Sequence, residues 1–170
     1  MATGAATVAL ATVVAGARRR ALRDGDRQID TAHLLHSLVE SDPEVGPAFE
    51  GRTQLARVLG YLVQRSIGYG LRWQRSVEDS GARRVGREGE AAAEVSQWAV
   101  AVAGWSPSAA AAMARARERA APRVDPRVRG LDLLAALTAD PDCRAVEVLR
   151  RAGVDPRVLA DRIEELSQQV

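Results

Sequence analysis

The sequence predicts an all-α protein made from two copies of a four-helix unit that pack as one pseudo-twofold domain. Three observations support this prediction. Leu, Val and Ala recur at helical spacing along most of the chain. Asp-Pro, Ser-Pro and isolated Gly stand where helices would begin and end. The pattern of the first half returns in the second half at a constant offset of 99 positions.

The first half begins with two expected helices joined by a short break. An Ala- and Arg-rich helix is predicted from Thr7 to about Arg23, and Gly25 is expected to stop it. Asp30 or Thr31 then caps a second helix, because a short side-chain oxygen can accept a bond from a free backbone N–H of the first turn. The apolar stripe of that helix consists of Leu34, Leu35, Leu38 and Val39.

Two more helices are expected to complete the first half. Asp42 is a suitable cap for a short helix, and Pro43 has the backbone angle needed in its first turn. The spacing of Leu and Val predicts the fourth helix over about 53–65.

The second half follows the same order. Ser106 and Pro107 are expected to start a long Ala-rich helix that ends near Ala121. A Leu-rich helix follows, in which Leu133 corresponds to Leu34. Gly153 is expected to close the next helix, and Asp155–Pro156 to start the last one.

These elements divide the chain into one domain, 1–170, with two repeats. Repeat one covers about 5–65 and repeat two about 90–170, and helicity should resume near Glu90 and run through Trp98. The Gly- and Arg-rich stretch 66–89 between them has little periodicity. It is expected to be an exposed, mobile linker.

Composition narrows the classes of function. All 24 basic residues are Arg, a pattern typical of a GC-rich, bacterial genome, and the net charge is only +2. A single Cys excludes an internal disulfide and fits a reducing compartment. The apolar N-terminal run has no basic residue before it, unlike a secretory signal. The protein is therefore expected in the cytoplasm, without a membrane span.

Two motifs resemble the N-terminal domain of Clp-family AAA+ unfoldases. In that family each repeat starts with Phe-Thr-x-x-Ala and later carries Ile-Gly-Thr-Glu-His-Leu-Leu. The stretch WSPSA at 105–109 is similar to the first motif, and IDTAHLL at 29–35 to the second. The other copies are degenerate: Ala6 replaces the aromatic before Thr7, and VRGLDLL stands at 128–134. The resemblance covers nearly the whole chain except the linker.

The resemblance implies a domain that receives substrates or adaptor proteins for an unfoldase. The 170 residues contain no Lys, so they hold no G-x-x-x-x-G-K-[ST] phosphate-binding loop. A free-standing Clp repeat domain without the ATPase module is therefore expected. Its function would be non-enzymatic protein binding in ATP-dependent proteolysis, chaperoning or protein quality control. The partners would be protein substrates, adaptors or a Clp unfoldase, with no cofactor.

The resemblance also implies two ligand-binding residues, Thr7 and Ser106. Some family members bind phosphoarginine with the hydroxyl at the start of each repeat and with the Glu of Thr-Glu-His-Leu-Leu. The hydroxyls are present here, but the Glu positions hold Ala32 and Leu131. Asp30 and Asp132 lie nearby in sequence but point in other directions on a helix. Phosphoarginine binding by the known mode is therefore expected to be lost.

Other candidate sites have simpler explanations. His33 and His36 supply at most two of the three or four ligands of a zinc site, so a structural role is favoured over a partner contact or a metal. Cys143 has no evident catalytic partner and is expected to be a buried structural thiol. Asp140 and Asp142 are expected to cap a helix. No catalytic residue and no metal site are predicted.

The alternative function is a nucleic-acid or regulatory binding protein that uses the linker. This stretch combines several Arg with Trp73 and Tyr69, a composition that can bind nucleic acid. Glu78 and Asp79 oppose these charges, and a solvated surface is the favoured interpretation.

Overall fold

A computed structural model describes residues 10–66, 78 and 104–169. Every regular segment in these ranges is helical, with seven α-helices and one 3-10 helix, so the all-α prediction is confirmed for them. Thr7, the linker apart from Ser66 and Glu78, and the helix expected from Glu90 through Trp98 lie outside the described residues. The prediction of Thr7 as a ligand-binding residue and the bounds of the linker therefore stay predictions. The prediction of an exposed linker is wrong at Glu78, which is 5% exposed because its side chain packs into the protein.

The first half contains three α-helices and the 3-10 helix, and their ends follow the predicted signals. Helix α1 spans Leu10–Asp24 and ends before Gly25, which adopts the left-handed conformation at φ 71°. Helix α2 spans Thr31–Ser41, and Asp30 is its N-cap. The short helix after Asp42 is a 3-10 helix, Pro43–Ala48, and α3 spans Gly51–Gln64.

The second half contains four α-helices. Helix α4 spans Pro107–Ala120, with Ser106 as its N-cap, and α5 spans Gly130–Thr138. Helix α6 spans Arg144–Arg151, and α7 spans Pro156–Gln168, with Asp155 as its N-cap.

The prediction that Asp140 and Asp142 cap the following helix is wrong. Helix α6 begins two residues later than Asp142, and Cys143 is its N-cap. Oδ1 of Asp140 accepts a bond from the N–H of Asp142, so it stabilises the preceding turn instead.

One hydrophobic core joins the two halves. It contains residues from Val13 in α1 to Ile163 in α7. Helix α2 lies at its centre, because every residue from Thr31 to Val39 is buried and the helix packs on both halves. A Leu to Ala change in such a core costs about 2–5 kcal/mol of stability, so the apolar stripe of α2 is a main source of stability.

Two backbone hydrogen bonds place the starts of α2 and α4 side by side. The N–H of Ile29 donates to the carbonyl of Gly104 at 2.6 Å, and the N–H of Ser106 donates to the carbonyl of Ile29 at 2.9 Å. This is an isolated parallel bridge between Ile29 and Trp105. It brings residues 75 or more positions apart in sequence to one point.

No helix within the described ranges has the length and apolar character needed to span a membrane.

A close approach between α1 and α2 depends on Gly16. A Cβ at this position would lie 2.3 Å from Oγ of Ser37, which donates a hydrogen bond to the carbonyl of Val13 at 2.6 Å. Rotating Ser37 away would break that bond. The contact therefore requires a residue without a side chain.

We predict that Gly16→Ala lowers the free energy of unfolding by about 1–3 kcal/mol, because the added methyl overpacks the contact with Ser37. Gly60→Ala is the matched control. Gly60 is also helical, but it is exposed and a Cβ there meets nothing within 4 Å. The control should gain about 0.5–1 kcal/mol from helix propensity. Urea denaturation measures both changes, and a loss of similar size in both variants would contradict the role of Ser37.

Candidate functional site

Ser106, the predicted ligand-binding residue within the described ranges, is fully buried at the N-terminus of α4. Its Oγ accepts a hydrogen bond from the N–H of Ala109 at 3.1 Å and donates one to Oε1 of Glu78 at 2.9 Å. The hydroxyl therefore binds a carboxylate supplied by another part of the chain. Its predicted counterpart, Thr7, lies outside the described residues.

The carboxylate of Glu78 sits where the N-termini of three helices converge. Oε1 accepts bonds from the N–H of Thr31 and the hydroxyl of Ser106, each at 2.9 Å. Oε2 accepts bonds from the N–H of Arg144, at 2.6 Å, and the hydroxyl of Thr31. We call the donors Thr31, Ser106 and Arg144 the cradle; they belong to the starts of α2, α4 and α6.

The cradle follows from how helices begin. The first N–H groups of a helix have no partner within it and carry a partial positive charge, which favours an anion. Here the Ile29–Trp105 bridge aligns two of these starts. The third is joined to them because the N–H of Ala145 donates to Oγ1 of Thr31 at 2.9 Å. The N-termini of three helices therefore lie inside the protein around one carboxylate, that of Glu78.

The two hydroxyl groups of the cradle are oriented by hydrogen bonds that do not involve Glu78. Oγ1 of Thr31 accepts from Ala145, and Oγ of Ser106 accepts from Ala109. Since each oxygen already accepts a backbone bond, its own proton is left to point at the carboxylate.

Burial, together with the nearby charge of Asp30, raises the pKa of Glu78. Hydrogen bonds from Thr31 and Arg144 oppose this shift, because they favour the ionised form. Glu78 is only 5% exposed. The buried position of this carboxylate therefore depends on the hydrogen bonds that Thr31, Ser106 and Arg144 donate to it.

Asp30, next to the cradle, is a buried carboxylate with cationic partners. Arg65 pairs with its Oδ2, and Nη1 of Arg144 lies 2.8 Å from the same oxygen. Burial alone would raise the pKa of Asp30, but the bond and charge of His33 and the two Arg outweigh it and hold the pKa well below its usual range. Asp30 therefore stays ionised while it caps α2.

His33 lies between two carboxylates. Its Nε2 is 2.8 Å from Oδ2 of Asp26, and its Nδ1 is 3.0 Å from Oδ1 of Asp30. Burial lowers the pKa of His33, but these two acidic neighbours raise it to about 9 overall. A raised pKa favours the imidazolium, whereas the N–H of Asp30 donates to Nδ1 at 3.1 Å in the capping box of α2, and this bond requires an unprotonated Nδ1. In both forms the ring joins the end of α1 to the start of α2.

The surroundings of His33 also contain a set of residues that sequence spacing does not reveal. Ligand atoms of Asp24, Asp26 and His33 lie within 4.8 Å of one another, a set of two carboxylates and one imidazole. His36 is not part of this set. Burial, and then the charges of Arg20 and Arg23, lower the pKa of His36 to about 4, so it is neutral.

Cys143 has the properties expected of a structural thiol. It is 1% exposed, and its Sγ lies 3.4 Å from the carbonyl of Leu137, to which it donates. Burial raises the pKa of the thiol to about 12, so it carries almost no thiolate at neutral pH.

The two positions where the resembling family carries Glu are also buried. Ala32 is 0% exposed and Leu131 is 7% exposed. Asp30 and Asp132, the nearby carboxylates, are both bound by Arg side chains. The carboxylate that does reach Ser106 is that of Glu78, which belongs to the predicted linker 66–89.

Comparison of the chain with known protein families finds no match, and comparison with curated proteins finds no relative.

The two histidines are predicted to affect stability in opposite pH ranges. Because folding raises the pKa of His33 to about 9, its contribution is complete below its unfolded pKa near 6.5 and is lost as pH rises through 9. The loss should be on the order of 3 kcal/mol. Folding lowers the pKa of His36 to about 4, so its contribution is lost as pH falls from 6.5 toward 4.

Urea denaturation between pH 4 and 10 tests this with matched variants. His33→Gln should flatten the decline between pH 7 and 9.5 relative to the natural chain. His36→Gln should flatten only the decline below pH 6.5. If His33→Gln leaves the alkaline decline unchanged, the imidazolium between Asp26 and Asp30 is not its cause.

Proposed function

We propose that this chain is a non-enzymatic protein-binding module of Clp-type proteolysis or protein quality control. It would receive substrate or adaptor segments, or dock on a Clp unfoldase, in the cytoplasm. The proposal starts from the motif resemblance at 29–35 and 105–109, and the observation that carries it is the cradle. There three helix starts hold the side chain of Glu78 from elsewhere in the same chain, and the proposal extends this mode of binding to a segment of another protein.

The backbone of Glu78 also contacts this region. Its carbonyl accepts a bond from the N–H of Ser108 at 3.5 Å, while its side chain fills the cradle. Both main chain and side chain are thus held near the start of α4. Recognition of peptides commonly combines main-chain bonds with a pocket for one side chain.

Corresponding features in the two halves support the proposed duplication. In the first half, Asp24 lies 3.8 Å from His33. In the second half, Arg123 lies 2.6 Å from Asp132. These pairs occupy positions 99 apart with the charges exchanged. A duplicated ancestral unit would give this arrangement if both copies kept an ion pair at these positions and the acidic and basic residues were exchanged in one copy.

We predict that the immobilised chain captures a Clp unfoldase, or proteins that such an unfoldase degrades, from a bacterial lysate. Mass spectrometry identifies the captured proteins. Ser106→Ala should reduce their recovery several-fold, because it removes one donor of the cradle. Ser41→Ala is the control, since Ser41 binds only the carbonyl of Ser37 among the described contacts. Recovery of no Clp component or substrate by the folded chain would refute the proposal.

A further inference from the structure

We propose that Asp24, Asp26 and His33 form a binding site for one zinc ion. Asp24 ends α1, Asp26 follows it by two residues, and His33 lies in the first turn of α2. The two His residues of the chain supply too few ligands for a metal, and these two carboxylates make up the number. The site is separate from the cradle and does not depend on the proposed function.

The buried Nε2 atom of His33 is the observation that points to a ligand. His33 is 2% exposed, and its Nε2 has no hydrogen-bond partner among the described residues. Oδ2 of Asp26 lies 2.8 Å from Nε2 but does not form a hydrogen bond with it. Buried polar atoms are rarely left without a partner. A metal ion bound to Nε2 and to the carboxylates would satisfy this atom.

The distances between the ligand atoms suit one shared ion. Nε2 of His33 is 2.8 Å from Oδ2 of Asp26 and 3.8 Å from Oδ2 of Asp24. Zinc–ligand bonds of about 2.0–2.2 Å place two ligand atoms of a tetrahedral ion about 3.3–3.6 Å apart. The two measured separations lie on either side of this range. Rotation of the carboxylates about their side-chain bonds can bring both of them to it.

The backbone that carries the two carboxylates is fixed by the end of α1. Gly25 adopts the left-handed conformation between them, at φ 71°, and the N–H of Asp26 donates to the carbonyl of Ala21 at 2.9 Å. The hydroxyl of Ser66 donates to Oδ2 of Asp24 at 3.1 Å and orients that carboxylate. Hydrogen bonds to metal-binding side chains are a common means of orienting them.

Asp30 is placed to orient the imidazole. Binding of an ion to Nε2 requires that Nδ1 of His33 carry the proton of the neutral ring. Oδ1 of Asp30 lies 3.0 Å from Nδ1 and would accept that proton's hydrogen bond, while the N–H of Asp30 gives up its own bond to Nδ1. A ring that starts as the imidazolium releases the proton of Nε2 to solvent when the ion binds. Histidines that bind metals commonly donate their other N–H to a carboxylate.

The ligand types favour zinc over the alkaline-earth ions. Zinc accepts imidazole and carboxylate together, whereas Mg²⁺ and Ca²⁺ prefer oxygen ligands alone. Three protein ligands leave one position of a tetrahedral ion for water. The side chains of Asp24 and Asp26 are 10% and 20% exposed, which gives the ion a path from solvent. Arg23, 3.8 Å from Asp24, is 66% exposed and can turn away.

Isothermal titration calorimetry of the untagged chain with zinc chloride tests the proposal. The natural chain should bind one equivalent near pH 7.5. Asp24→Asn, Asp26→Asn and His33→Gln should each weaken binding about tenfold or more. Gln suits the capping-box position of residue 33, so that variant should fold. Saturating zinc should also raise the Tm of the natural chain and leave the Tm of the three variants unchanged.

Cobalt distinguishes a built site from ions scattered on the surface. Co²⁺ bound to these three ligands in tetrahedral geometry should give strong visible absorption bands, which a hydrated surface ion lacks. His36→Gln removes the other imidazole, and Asp161→Asn removes an exposed carboxylate in α7. Both controls should bind zinc and cobalt as the natural chain does.

Several results would overturn the proposal. They are no binding of one equivalent of zinc by the folded natural chain, unchanged binding in any of the three ligand variants, and equal weakening in either control. Cobalt binding without the tetrahedral bands would identify an adventitious ion only. Magnesium chloride should give no binding, and magnesium affinity equal to that of zinc would refute the assignment of the metal.

Discussion

The structure depends on how this protein satisfies helix N-termini that lie inside it. Helix α2 begins in the core, beside the starts of α4 and α6, where water is excluded from the first N–H groups. Each of those groups needs an acceptor, because an unpaired buried donor is strongly unfavourable. Asp30 accepts from the N–H of His33, and Glu78 accepts from those of Thr31 and Arg144. The two carboxylates are thus consequences of where α2 starts.

These carboxylates in turn determine the surrounding charges. Asp30 requires cations, and Arg65, directly after α3, and Arg144, in α6, supply them, while Nδ1 of His33 lies 3.0 Å from its Oδ1. His33 then interacts with Asp26 at the end of α1. The result is a connected polar group inside an aliphatic core. Such groups orient helices more specifically than Leu and Val contacts, which tolerate sliding.

Local features of the sequence were sufficient to predict most of the helices. Gly25, Pro43 and Ser106 act within one turn of their own position, so their effects can be read without a structure. Asp140 shows the limit of this reasoning. Asp is a residue type that often caps helices, but the chain makes an additional turn after Asp140 before α6 begins. Several residues compete to cap one helix, and packing of the whole segment decides among them.

The interactions of the candidate site could not be read in the same way, because they join distant positions. Glu78 is 47 residues from Thr31 and 66 from Arg144. Within a Gly- and Arg-rich stretch it had the appearance of a solvated acid. Asp24 and Asp26 meet His33 only because α1 and α2 fold back on each other after Gly25. Ser106 was found by resemblance, which indicated its position but not its buried partner.

Thr31 bonds both to Glu78 and to the start of α6, and this restricts how the sequence can evolve. Its N–H and hydroxyl bind Glu78, and its oxygen receives the N–H of Ala145 from the other half. The two halves therefore cannot diverge independently at this point. A replacement at one of these positions favours compensating replacements at the others. Among related sequences, residues 31, 78 and 106, whose side chains bond one another, should vary together, while the exposed faces of the same helices drift freely.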